Sequence, residues 1–299
     1  MRRFWFLALI MALAMSLMAV PALADDYDDD DDDRYRYNAM EMVNDDDDAV
    51  VDDDDEDRRY KMRPATSNVV HGIPGDSLGF EQPLPVDVCL ADGTALITEF
   101  EFTDIETLEV PEGSYDIDVR LDAAMDCDGA TVLAAPGLFV ESGMTYSVVA
   151  NLTADGMPGF GEVLGALPIG LSVFVDDLSY AGWKNGRVNV RHTAAAPAVD
   201  IWVAPKRGDF APAFIGLEGA NGSADQEGTA DLRRGRYIAG IALSPSASPD
   251  DIAIEQKFKV KRGKALNIYA VGSLADGNFT LLTQYEKLDK PWGGWGDDD

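Results

Sequence analysis

Residues 110–121 read VPEGSYDIDVRL, and residues 232–243 read LRRGRYIAGIAL. In the first stretch Tyr115, Ile117, Val119 and Leu121 alternate with Ser114, Asp116, Asp118 and Arg120. Successive side chains of a strand point to opposite faces, so this is a half-buried strand with one face on a core and one in water. In both stretches a glycine stands two residues before a tyrosine, Gly113 before Tyr115 and Gly235 before Tyr237. That spacing predicts a turn with the glycine at positive φ and a tyrosine opening the strand.

The similarity extends outward in both directions. NVVH at 68–71 returns as NVRH at 189–192, and VDVCL at 86–90 returns as VDIWV at 199–203. FVESGMTYSVVANLTADG at 139–156 parallels KVKRGKALNIYAVGSLADG at 259–277. Blocks that recur in one order at similar spacing mark an internal repeat. We read two copies of one domain, at 67–180 and 186–289, joined by YAGWKNG; MPGFGEVLGALPIG at 157–170 belongs to the first copy alone. In VDVCL and VDIWV the apolar face holds Val86, Val88 and Leu90, or Val199, Ile201 and Val203. The opposite face holds Asp87 and Cys89, or Asp200 and Trp202. Gly143 and Gly263 precede strands that end at the hairpin signals Asp155-Gly156 and Asp276-Gly277. Short strands with turn signals between them, over about 100 residues per copy, predict an all-β chain of two tandem β-sandwiches. The Gly-x-Tyr spacing also matches the tyrosine corner of immunoglobulin-like sandwiches, whose phenol bonds back to upstream backbone.

Ahead of the repeats the composition is different. Residues 1–24 place Arg2 and Arg3 before an uncharged apolar run and end in Ala22-Leu23-Ala24, the pattern of an export signal cleaved before Asp25. The run approaches the lower limit for a spanning helix, so an uncleaved anchor is the alternative; after cleavage no integral membrane protein is expected. Residues 25–66 form an Asp-rich segment. Between Asp25 and Asp57 stand 17 Asp and 2 Glu against Arg34 and Arg36, a net charge of −17 out of −30 for the whole chain. Such a segment cannot bury enough apolar surface to offset chain entropy, and its charges repel, so it is expected to be disordered and extended. Its carboxylates are hard oxygen ligands and could collect calcium diffusely, although the spacing of a preformed calcium loop is missing. The charge argues against nucleic acid as a partner, because no basic stripe could neutralise phosphates. Residues 290–299, with Trp292 and Trp295 in a Gly-rich strip, read as a flexible tail.

The runs GRVNVRHTAAAPAVDIWV at 186–203, LRRGRY at 232–237 and RGKALNIYAVGSLADGNFTLLT at 262–283 resemble an exported bacterial domain of unknown function, DUF4397. Its pattern is a strand of V-R-x-x-H-A-S-P-x-A-P-x-V-D-V-Y-V character, then L-x-x-G-x-Y, then G-x-x-Y-T-V-x-A-x-G. The second copy fits well, except that His192 follows Arg191 directly; the first is interrupted after His71. The resemblance implies an immunoglobulin-like or transthyretin-like sandwich of the cell envelope, and it implies no known catalytic residues, since the family has none assigned.

Three sets of residues are candidates for chemistry. Cys89 and Cys127, the only cysteines, are an even pair in an exported chain and predict a disulfide that stabilises the first copy by roughly 3–4 kcal/mol. His71 and His192, the only histidines, occupy one repeat position. Each could pair with the following aspartate, Asp87 or Asp200, in a small polar or cation site, or could bond to backbone and fix a loop. One imidazole and one carboxylate fall short of usual metal coordination, which favours the second reading. Finally, GDSLG at 75–79 matches a nucleophile elbow and the signature of GDSL esterases, with Ser77 as nucleophile. An elbow needs a strand entering and a helix leaving. Gly72 and Pro74 on one side and Pro83 and Pro85 on the other deny that context, and the D-x-x-H of those esterases is absent.

The expected function is therefore that of an exported, non-enzymatic protein, periplasmic, surface-bound or secreted, that interacts with an envelope or extracellular protein or glycan. It needs no cofactor. The alternative is a ligand-binding module for calcium or a glycan, and the remote alternative is an esterase at Ser77.

Overall fold

The alternating stretch SYDIDVRL lies in strand β5, Gly113–Leu121, and its copy in β14, Gly235–Leu243. The computed structural model describes residues 63–80, 84–123, 125–153, 162–163, 167–219 and 224–290. The export signal, nearly all of the acidic segment, the tail from 291 and much of the 157–170 insertion lie outside the described residues. The first copy contributes β1 (Ala65–Gly72), β2 (Val86–Leu90), β3 (Ala95–Phe100), β4 (Ile105–Val110), β5, β6 (Thr131–Val140), β7 (Thr145–Leu152), β8 (Glu162–Val163) and β9 (Ile169–Val175). The second contributes β10 (Asn185–His192), β11 (Val199–Pro205), β12 (Ala211–Leu217), β13 (Glu227–Arg233), β14, β15 (Ile254–Val260), β16 (Lys264–Val271) and β17 (Thr280–Lys287). The first strand begins at Ala65, two residues before the boundary read from the repeat.

Each copy is a sandwich of two sheets, and the two sandwiches share one strand order. The inner sheets run β4-β1-β7-β9 and β13-β10-β16-β17, and the outer sheets run β3-β2-β5-β6-β8 and β12-β11-β14-β15. Only β8, from the insertion, has no counterpart. In both inner sheets one pair is parallel, β1 with β7 and β10 with β16. The inner pairs flanking it are antiparallel.

The core of the first sandwich joins Val88, Phe100 and Leu133 of its outer layer to Val148, Ile169 and Leu171 of its inner sheet. A second cluster, Val70, Val149, Tyr269 and Val271 with Phe174 and Leu282, joins the two inner sheets, with Phe102 of the β3–β4 turn packed beside it, so the inner sheets pack face to face. The order of layers is outer, inner, inner, outer. Strands β1, β7 and β16 are consequently covered on both faces, and β7 reads as the nearly unbroken buried run YSVVANL rather than as an alternation.

Both tyrosine corners form: the Tyr115 hydroxyl donates to the Pro111 carbonyl at 2.7 Å, and that of Tyr237 to the Arg233 carbonyl at 2.8 Å. The glycines beside them do not take the positive φ expected of them. They are the first residues of their strands, and the tyrosine ring folds over them; a Cβ at Gly235 would lie 3.3 Å from the Tyr237 ring and one at Gly113 3.6 Å from that of Tyr115. Close approach, not backbone handedness, is what glycine supplies there. The positive φ falls instead at Gly143 (73°) and Gly263 (64°), in the turns before β7 and β16.

Candidate functional site

Asp87 and Asp200 point away from their sandwich cores, as alternation requires, yet both are fully buried. The segment after β5 or β14 folds back over them. Asp87 accepts from the backbone N–H of Cys127 at 2.8 Å and of Glu99 at 3.3 Å. Asp200 accepts from the backbone N–H of Ser246 at 2.6 Å and of Gly216 at 2.7 Å, and from the Ser246 hydroxyl at 2.8 Å. Glu99 and Gly216 are both residues at positive φ, 53° and 68°, so each carboxylate ties an irregular edge strand to the covering loop. In the first copy the loop is further fastened by the Cys89–Cys127 disulfide, with Cα atoms 6.1 Å apart. In the second, Trp202 stands where Cys89 does and donates from Nε1 to Ser246 Oγ at 3.0 Å.

Among the described residues no hydrogen bond joins His71 to Asp87 or His192 to Asp200. His71 Nδ1 accepts from the Ile73 backbone N–H at 3.3 Å, which puts the ring proton on Nε2, and the ring lies 5.5 Å from that of Phe100. Its Nε2 is buried without a partner among the described residues. Burial, opposed by the Asp104 carboxylate, pulls the imidazole down to about 4. His192 uses its other nitrogen, Nε2 donating to the Pro197 carbonyl at 3.0 Å, and burial lowers it as well. Both rings are strand-end groups tied to local backbone. Among the described residues no three of His, Cys, Asp and Glu converge as a metal site would need.

Residues Gly75–Leu78 form a single 3-10 turn. Ser77 Oγ donates to Asp276 Oδ2 at 2.7 Å and accepts from Asn278 Nδ2 at 2.9 Å, while Asn278 Nδ2 also reaches Asp76 Oδ1 at 2.9 Å. The GDSL stretch thus clasps the Asp276-Gly277 turn of the other sandwich, two features that sequence reasoning treated separately. Beside the clasp, the Gly272 backbone N–H donates to the Gly72 carbonyl at 3.2 Å. A Cβ at Gly72 would meet the Ala150 carbonyl oxygen at 2.7 Å and Val271 at 3.0 Å. Gly72→Ala is expected to cost about 1–3 kcal/mol in urea denaturation, because backbone, not a flexible side-chain end, must yield.

The clasp closes one end of a polar seam between the inner sheets. At its centre lies Arg191, fully buried on β10. Its Nη2 pairs with Asp176, its Nη1 donates to Ser147 Oγ at 2.6 Å, and its Nε donates to Glu227 at 2.9 Å. The guanidinium also sits 4.7 Å from the Phe174 ring. Burial works against its charge, but the Asp176 and Glu227 carboxylates outweigh it and hold Arg191 above its ordinary value. Asp176 and Ser147 belong to the first copy and Arg191 and Glu227 to the second, so the pair joins the sandwiches. Nearby, Asn68 Nδ2 donates to Glu286 Oε1, and Gln284 donates to Asn68 Oδ1 at 2.9 Å. Arg187 fixes the connecting segment, pairing with Asp177 at 2.7 Å and Asp231 at 2.9 Å.

Burial, reinforced by the Asp176 carboxylate, pushes Glu286 up to about 7 from 4.5. The folded state therefore keeps a proton that the unfolded chain releases, so this residue's contribution to stability falls as pH rises from 4.5 to 7 and is constant above. Glu286→Gln is expected to remove that slope and to be more stable than the parent at pH 8, on the order of 1–3 kcal/mol after discounting for partial exposure. Denaturation curves across pH 4–8 read this directly. His71 acts with the opposite sign: its contribution falls as pH drops from 6.5 to 4.

The model of a domain of unknown function, DUF4397, matches residues 65–202, which spans the first sandwich and reaches Trp202 in the second. No curated protein sequence matches the chain. Among solved structures, the chain is similar to the TIE protein of Bacillus anthracis at 9% identity and a TM-score of 0.19, over 71% of this chain and 33% of that one. It thus spans about a third of that protein's length. A candidate cell adhesion protein from Bacteroides ovatus is similar at 8% identity and a TM-score of 0.20, over 77% of this chain and 99% of that one. The tip fimbrial protein Mfa3 from Porphyromonas gingivalis, truncated at its C-terminus, matches at 9% identity and a TM-score of 0.20, over 76% and 99%. Likeness at this level carries no functional argument.

Proposed function

We propose that the protein is an exported, non-enzymatic interaction or structural module of the cell envelope, built from two tandem copies of the DUF4397 domain that act as one stiff body. The observation that carries this reading is the seam. Arg191 of one copy is bonded to Asp176 and Ser147 of the other with no exposure to water, so the two sandwiches present their surfaces in a fixed relation. Two tandem copies are supported by the shared strand order, the paired tyrosine corners and the paired aspartate clamps. Export is supported by the Cys89–Cys127 bridge, since disulfides persist in oxidising compartments.

The groups most able to do chemistry are engaged in holding structure: Ser77 in the clasp, His71 and His192 on backbone, Asp87 and Asp200 on loops. Esterase activity on a short acyl ester that vanished in Ser77→Ala would overturn the non-enzymatic reading. The mature protein is expected to retain specific envelope or extracellular partners when used as bait, and failure to retain any above a scrambled-surface control counts against an interaction role. The alternative, calcium or glycan binding, rests on the acidic segment and the loops at the sandwich ends. Calorimetry with calcium on the mature chain and on a chain starting at Arg63 tests it, and heat confined to the longer chain would assign the cation to the acidic segment.

A further inference from the structure

The net charge of −30 hides a division between the two copies. Residues 65–183 carry 20 acidic side chains against Arg120 alone, a net charge of −19, whereas residues 184–290 carry 15 cations against 12 acids, a net charge of +3. Many of these cations gather at the tyrosine-corner end of the second sandwich, where Arg234, Arg236, Lys259, Lys261 and Arg262 are all exposed. The same positions of the first copy hold Glu112, Ser114, Phe139, Glu141 and Ser142. Arg236 stands opposite Lys259 as Ser114 stands opposite Phe139, so the strand register is shared and the fold itself does not call for cations there.

Among the described residues no carboxylate forms an ion pair with Arg234, Arg236, Lys259 or Arg262. Like charges directly opposite on neighbouring strands destabilise a sheet, so Arg236 and Lys259 oppose folding until an anion lies across them. Two aromatic side chains of the connecting segment, Trp183 and Tyr180, are 66% and 40% exposed. The Arg234 N–H donates to the Lys184 carbonyl at 2.9 Å, and the Gly263 N–H donates to the Asn185 carbonyl at 2.9 Å, which sets Trp183 beside both cationic turns. Lys184 Nζ lies 4.3 Å from the centre of the Trp183 ring.

We propose that this end of the second sandwich docks a linear acidic polysaccharide, with its carboxylates on the cations and one sugar ring stacked on Trp183. The cations are spread along a strand pair and the turn after it, which suits a chain of anions better than a single ion. The exposed indole offers a flat apolar face, and the C–H face of a pyranose ring matches it. An anionic bilayer fits less well. The tyrosine-corner end of the first sandwich lies on the same side, since Asn68 near the start of β1 bonds Glu286 near the end of β17, and Gly272 just after β16 donates to Gly72 at the end of β1. A plane would therefore also meet Glu112 and Glu141, which a chain avoids. The inference names a surface and a partner for the interaction role proposed above, and rests on that reading.

The test titrates the mature protein by calorimetry with an alginate oligomer, a neutral dextran of equal length, a single-stranded DNA oligomer and phosphatidylglycerol vesicles. Alginate is expected to bind saturably and to weaken roughly tenfold between about 50 and 200 mM salt, as cation–anion contacts require. Arg234→Glu combined with Arg236→Ser and Lys261→Glu installs the residues that the same fold carries in the first copy, so the variant is expected to fold. Its alginate affinity falls by about tenfold or more, and the salt dependence becomes shallower. Trp183→Ala weakens binding about fivefold and leaves the salt dependence unchanged, because it removes a stacking surface and no charge. Absence of saturable alginate binding, unchanged affinity in the triple variant, equal binding of dextran, or tighter binding of the DNA or the vesicles overturns the inference. A mature protein that retains specific protein partners but ignores alginate overturns it too, and leaves the interaction role standing.

Discussion

Arg191→Met is expected to lower the free energy of unfolding by about 3–5 kcal/mol, the cost of leaving buried carboxylates without their counter-ion. Asp176 is fully buried, and Arg191 is the cation bonded to it; Glu227, the second partner, is partly exposed and suffers less. The loss should appear first as separation of the sandwiches, seen as faster protease cleavage between Asp176 and Asn185 and faster amide exchange in β7 and β16. The pair need not be a net stabiliser relative to an apolar seam. Arg191→Met combined with Asp176→Leu is expected to recover part of the loss, because replacing both partners removes the stranded charge. A double variant as unstable as the sum of its parts would show that the two side chains are not coupled.

Cys89→Ser with Cys127→Ser is expected to cost about 4 kcal/mol on the chain-entropy model, given a separation of 38 residues between the cysteines. If both sandwiches unfold together, that corresponds to a fall in melting temperature of roughly 8–15 °C. The bridge does more than close a loop, because Cys127 also donates its backbone N–H to the buried Asp87 carboxylate. Without the bridge the covering segment is held by that carboxylate and by Arg120, whose Nη1 donates to the Cys127 carbonyl at 2.7 Å. Loss of the segment would leave Asp87 short of a donor. Melting of the variant beside the reduced parent separates the two contributions: an equal fall in both means that the covalent link accounts for the effect.

The sandwiches themselves were legible because each outer strand meets a core on one side. Tyr115, Ile117, Val119 and Leu121 alternate cleanly, and the recurring Gly-x-Tyr gave both corners. The seam was not legible. Asn68, Ser147, Gln284 and Glu286 stand at positions where an alternating pattern ordinarily means water, and nothing local distinguishes a polar side chain facing solvent from one facing a second polar sheet. Two signals were nevertheless present. SVVANL and LNIYAV are too continuously apolar for strands wetted on one face. Arg191 is also an isolated cation at the position where the first copy has Val70, a residue fully buried in the same seam.

The histidine–aspartate pairing suggested by chain order does not arise, because Asp87 and Asp200 occupy the far face of their strands from the core and are taken up by loop backbone. The GDSL stretch illustrates a related limit. Its position after β1 was readable, but its partner was the Asp276-Gly277 turn some 199 residues away, brought close only by the docking of two complete sandwiches. The unpaired His71 nitrogen depends on how side chains pack around it, which a one-dimensional pattern does not encode.

All of this rests on the two sandwiches forming one body. Differential scanning calorimetry of the mature protein tests that most directly. A single transition with equal calorimetric and van't Hoff enthalpies is predicted for the parent, resolving into two transitions in Arg191→Met. Two independent transitions in the parent protein, unchanged by the substitution, would contradict it.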